Sequence, residues 1–150
     1  MIDSAMRPDR SINWHMAWPD ETGPFATGMI ERINKALQKP IQNLDPADLR
    51  QLIGQQIALE YTVPLAIGAI RANPMQNASY YDGDLLQACL KIEAVFWTKH
   101  PDQYARLKEF FQTVRVFDQK LHEQVKSFFA LEIVSVGMDS TKKATKRKPK

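Results

Sequence analysis

Apolar residues recur at helical spacing along most of the chain. Met29, Ile33 and Leu37, with Ile30 and Ala36 beside them, predict a helix from Thr27 to Lys39 that Pro40 stops. Asp45-Pro46-Ala47-Asp48 is a helix start: Asp45 can cap free amides, Pro46 suits the first turn and Asp48 complements the dipole. Leu49, Leu52, Ile53 and Ile57 then form the buried stripe of a second helix, in which Gly54 costs about 1 kcal/mol relative to alanine unless it permits close packing. Thr62-Val63-Pro64 marks a break, and a third helix runs from Val63 to Ala72, ended by Asn73-Pro74. Met75 to Tyr81 reads as a loop. Asp82-Gly83-Asp84 opens a fourth helix through Leu85, Leu86, Cys89, Leu90 and Ile92, and Glu93 to Lys99 is a short helical piece carrying Val95, Phe96 and Trp97.

Pro101 starts a stripe of Tyr104, Leu107, Phe111 and Val114, continued by Leu121, Val125 and Phe128. One unbroken helix over 102–133 would be about 48 Å long, too long for a compact domain of this size, so a break is placed near Phe117-Asp118 with Asp118 as the cap of a last helix. No strict apolar–polar alternation between hairpin turns appears, and the β-branched run Glu132 to Val136 has no evident partner strand. The fold class is therefore all-α, a single compact domain of six or seven helices over residues 25–138. Residues 1–24 read as an irregular N-terminal arm, broken by Pro8, Pro19 and Pro24, with Trp14 or Trp18 expected to anchor it on the body.

Composition agrees with a globular domain: 150 residues, 44% hydrophobic and 25% charged. A chain of this length buries roughly 70% of its unfolded surface and needs no staples. A lone cysteine, Cys89, excludes an internal disulfide framework. The longest mostly apolar stretch, Tyr61 to Ile70, is about half a membrane span, and Met1 to Arg10 has no apolar signal core, so a cytoplasmic protein without membrane contact is expected.

Net charge changes the picture once it is divided. Of the 20 basic residues six fall in 142–150 (Lys142, Lys143, Lys146, Arg147, Lys148, Lys150), which hold none of the 17 acidic ones. Residues 1–141 carry 14 basic and 17 acidic groups, so a mildly acidic body bears a basic tail, 139–150, with nothing to bury. The tail reads as disordered. Six phosphate contacts from it would give a salt slope near about −5 on duplex DNA, but the body has no recognition-helix pattern.

Catalytic chemistry is thin. His15, His100 and His122 lack metal-ligand spacing, and His100 before Pro101 suits a helix terminus. Cys89 between Leu85, Leu86 and Leu90 reads as a buried thiol rather than a nucleophile. No phosphate-binding glycine loop or nucleophile elbow is present. Asp82 and Asp84, flanked by Tyr80 and Tyr81, are the best acid pair, and helix capping accounts for them more simply than a cation site does. The phenylalanines Phe110, Phe111, Phe117, Phe128 and Phe129 read as core rather than as a ligand pocket. No metal or cofactor is expected.

Residues 44–101 are more specific. Asp48-Leu49-Arg50, Ile53-Gly54-Gln55, Val63-Pro64-Leu65-Ala66, Asn73-Pro74, Tyr81, Gly83-Asp84-Leu85-Leu86 and Phe96-Trp97 stand in the order and spacing of one family. The chain resembles the immunity proteins of bacterial contact-dependent growth inhibition (CDI) systems, over roughly residues 28–130. Asp82 stands where the pattern leads one to expect a proline, and the arm and tail fall outside the resemblance. The resemblance implies a non-enzymatic antidote that binds the C-terminal toxin domain of its cognate CDI system. Such toxins are frequently nucleases, whose basic surfaces suit an acidic body. Exposed anchors expected by residue type and loop position are Tyr80, Tyr81, Asp82 and Asp84, with Glu60 and Tyr61 at the other loop. The rival reading is a small helical nucleic-acid-associated regulator using the tail, and an enzyme built on Asp82, Asp84 and Cys89 is the third.

Overall fold

The computed structural model describes residues 6–113 and 119–131. Among them are eight α-helices, one 3₁₀ turn and no strand. The chain divides into two compact units, 1–91 and 92–150. The break expected near Phe117-Asp118, the run Glu132 to Val136 and the basic tail lie outside the described residues.

The first unit holds α1 (Ile12–Met16), α2 (Gly28–Gln38), α3 (Pro46–Gly54), α4 (Leu59–Ala72) and α5 (Asp84–Leu90). Helix α3 is central, packing on α2, α4 and α5, while α1 packs on α2. Asp45 caps its start as the sequence reads it, accepting from the Asp48 amide at 2.8 Å, and Asp48, read only as a dipole charge, also accepts from the Asp45 amide at 3.1 Å. That reciprocal capping box, with Pro46 in the first turn, satisfies amides that would otherwise be orphaned. Lys39 adds an ion pair to Asp48 at 2.7 Å. Leu49, Leu52 and Ile53 are buried as expected, but α3 ends at Gly54. Ile57 lies beyond the helix, packed on the Ile12–Leu52 cluster. A Cβ on Gly54 would meet nothing within 4 Å, so this glycine serves no close helix packing.

Helix α4 corrects an expectation. It begins at Leu59 rather than Val63, so Pro64 lies in its second turn rather than its first. Proline in the second turn removes the amide that the Glu60 carbonyl would accept, and Glu60 is exposed, where water can serve instead. Burial of Leu59, Thr62 and Val63 outweighs that loss. The arm differs too. It carries α1, capped by the Ser11 hydroxyl on the Trp14 amide at 3.0 Å. Its anchor is Ile12, wholly buried among Ala36, Leu37, Ile41 and Leu52, whereas Trp14 and Trp18 stay 51% and 39% exposed. The arm is also tied along the chain, since the amides of Ile41 and Gln42 donate to Arg10 and Pro8 carbonyls, each at 3.0 Å.

In the second unit are α6 (Ala94–Lys99), α7 (Pro101–Thr113) and α8 (Gln119–Phe129). Its interior is aromatic: Trp97, Tyr104, Phe111 and Phe128 are buried, with Trp97 edge-on to Phe128 at 5.4 Å and Phe111 edge-on to Phe128 at 5.6 Å. The Tyr104 hydroxyl donates to the Phe128 carbonyl at 2.9 Å, tying α7 to α8. Phe110 is also buried and Phe129 half-buried, so these phenylalanines serve the core; Phe117 lies outside the described residues. His100 closes α6 as a terminus residue, its amide bonded to the carbonyls of Phe96 and Trp97.

Candidate functional site

The loop between α4 and α5 is built around one buried acid. Asp84, 1% exposed, accepts from the amides of Ala78 at 2.8 Å, Ser79 at 3.0 Å and Tyr80 at 2.9 Å. The loop closes on itself through the Gly83 amide, which donates to the Gln76 carbonyl at 3.0 Å. Gly83 caps α5 with φ of 81°, a left-handed conformation that side chains with a Cβ rarely adopt. Burial pushes the Asp84 carboxyl up, but the amides of Tyr80, Ala78, Ser79 and Tyr81 together outweigh it and hold the group below the usual carboxylate range. Of the acid pair read as helix-capping, Asp84 accepts the loop amides and Asp82 is exposed.

Arg50 completes the arrangement from α3. Its guanidinium lies 3.7 Å from the Asp84 carboxylate and its Cζ 4.5 Å from the centroid of the Tyr80 ring. Tyr80 is 63% exposed yet held from below by a cation that a buried acid fixes in turn. Two clefts border this arrangement. One of about 270 Å³ is lined by Arg50, Gln51, Tyr81, Asp84, Gln87 and Lys91. The other, of about 320 Å³, is lined by Arg32, Lys35, Lys39, Asp48, Gln51 and Tyr80. Exposed tyrosines beside clefts make a surface able to bury a partner's side chains.

The six residues singled out in sequence fall in two places. Tyr80, Tyr81 and Asp82 share one exposed loop, with Asp84 beneath it. Glu60 and Tyr61 lie in the first turn of α4, where Glu60 is exposed and Tyr61 is half-buried, packed on the Ile12 cluster with its ring 5.2 Å from that of His15. Arg50 is the residue that sequence reasoning passed over. It was legible only as a member of Asp48-Leu49-Arg50, beside the apolar stripe of α3.

Burial pushes the Cys89 thiol up to about 12, leaving essentially no thiolate at neutral pH. His15 is employed locally: its Nε2 accepts from the Arg7 amide at 2.8 Å and its Nδ1 lies 2.7 Å from the Ser11 carbonyl. Among the described residues no three of His, Cys, Asp and Glu come together as a metal site. No helix among them is long and apolar enough to cross a membrane.

Comparison with known proteins gives the family. No curated protein matches the sequence significantly. The sequence profile of the CDI immunity proteins matches residues 15–107, a span that includes α3 with Arg50, the Tyr80–Asp84 loop and α5 through α7 to Leu107. Since that match covers more than half of the chain, the protein belongs to the CDI immunity protein family.

Proposed function

We propose that this protein binds the C-terminal toxin domain of its cognate CDI system one-to-one in the cytoplasm and neutralises it by occluding its active or substrate-binding surface. The toxin is a nuclease on this reading, and the antidote acts without catalysis or cofactor. Family membership carries the proposal. The exposed, cation-backed Tyr80 supports its placement, because tyrosines held rigid before binding lose little entropy on contact.

The contact surface comprises Tyr80, Tyr81 and Asp82, with Glu60 and the edge of Tyr61 as a second point. Asp84 and Arg50 act beneath as positioning residues. A standard interface takes about 800 Å² from each partner, and protection by few molecules needs nanomolar affinity, about −12 kcal/mol. Calorimetric titration of the purified pair, together with growth rescue, tests this. A one-to-one nanomolar complex is expected, weakened at least about tenfold by Tyr80→Ala. Deleting residues 139–150 should leave protection intact. Absence of binding to a folded, active toxin would overturn the proposal, and loss of protection with the tail would favour the nucleic-acid reading.

A further inference from the structure

A second cleft, sharing no lining residue with the two near Tyr80, has the composition of a binding surface. Trp14 and Trp18, both exposed, line one cleft of about 390 Å³ together with Asp9, Arg10, Asp20 and Gln38. Two exposed indoles in one concavity are costly to leave in water, and tryptophan is the residue type most enriched among interface anchors. The cleft is firmly built. Buried Ile12 seats α1, and the Trp18 amide donates to the Asn13 carbonyl at 2.9 Å. Asn13, itself buried, donates through Nδ2 to Asp20 Oδ1 at 2.9 Å and to the Pro19 carbonyl at 3.3 Å.

Its charges point to the occupant. Asp9 is paired with Arg7 at 3.1 Å, and Arg10 lies over the Trp14 ring at 5.3 Å. Asp20, by contrast, is bonded to a neutral amide and has no ion pair among the described residues. We propose that the Trp14–Trp18 cleft receives a lysine or arginine side chain from the basic face of the toxin, its charge paired with Asp20 and its stem laid on Trp18, beside the Trp14 ring that Arg10 already covers. This rests on the antidote reading above, in which the partner binds a polyanion and is basic for that reason. Asp9, Arg10, Ser11 and Trp14, half of the lining, precede residue 15, where the family match begins.

The test is calorimetric titration of the full-length protein with its toxin domain. Trp14→Ala/Trp18→Ala is expected to weaken binding at least about 100-fold. Asp20→Asn keeps an acceptor for Asn13 and should weaken it about tenfold, with a shallower salt dependence. Fluorotryptophan labelling of the unsubstituted immunity protein supplies a readout that needs no truncated variant. The resonances of Trp14 and Trp18 should shift on adding toxin, while that of buried Trp97 stays. Nanomolar binding by wild type with both variants within about threefold, or unmoved Trp14 and Trp18 resonances in a formed complex, overturns the cleft and spares the antidote reading. A change from dimer to monomer in the double variant without change in toxin affinity assigns the cleft to a second copy and also overturns it. No binding by wild type removes both.

Discussion

A carboxylate that accepts three backbone amides in a space closed to water is worth most when ionised, and Asp84 is in that position. Asp84→Asn keeps the shape but sets an amide NH₂ against donors, and should cost about 2–4 kcal/mol at pH 7. The pH dependence has a definite sign. The folded-state pKa lies below 3.8, so the charged group contributes fully above that value and its contribution is lost as pH falls through the depressed folded value. Urea denaturation of wild type and Asp84→Asn should therefore show a gap that is constant from pH 5 to 7 and narrows below about pH 4. A gap independent of pH would mean that the Asp84 carboxyl does not hold the loop by its charge. Asp84 also shows where residue-level reading stops. Sequence places an acid pair at a helix start, but which acid turns inward depends on amides six residues upstream and on Arg50 from another helix.

At the scale of elements, local chemistry is legible wherever the stabilising partner is near in sequence. The Asp45 cap of α3, the start of α2 at Thr27 and the Pro101 start of α7 are all read within a residue or two. Misreadings occur where distant packing overrides a local breaker. Pro64 breaks a helix in isolation, yet α4 runs through it because Leu59, Thr62 and Val63 ahead of it are buried. Helix α1, only five residues long, has no independent stability and forms because Ile12 enters the α2–α3 cluster. In the second unit the hydrogen bond from Tyr104 to Phe128 joins two helices that also share aromatic packing. Tyr104→Phe should cost about 1 kcal/mol, modest because the Phe128 carbonyl also accepts the Leu131 amide at 3.2 Å. Thermal denaturation checks this, and a cost above about 3 kcal/mol would show that the hydroxyl has a further role.

For the whole molecule, the charge division makes a kinetic prediction. If the partner is a basic toxin, the acidic body attracts it and the six basic residues of 142–150 repel it. Stopped-flow association should slow as salt rises, and deletion of 139–150 should speed association at low salt by about two- to tenfold while leaving dissociation nearly unchanged. Slower association on deletion would instead put the tail in contact with the partner. Helical class, most helix boundaries, the division of charge and the order of family motifs follow from sequence alone, because each is set by spacing, by caps close along the chain or by composition. The inward turn of Asp84, the service of Arg50 beneath Tyr80, and a cleft formed by Trp14 and Trp18 with Ile12 as the buried anchor were decided by tertiary structure. Each depends on which of several similar side chains finds buried partners, and those partners are supplied by segments that meet only when the chain has folded.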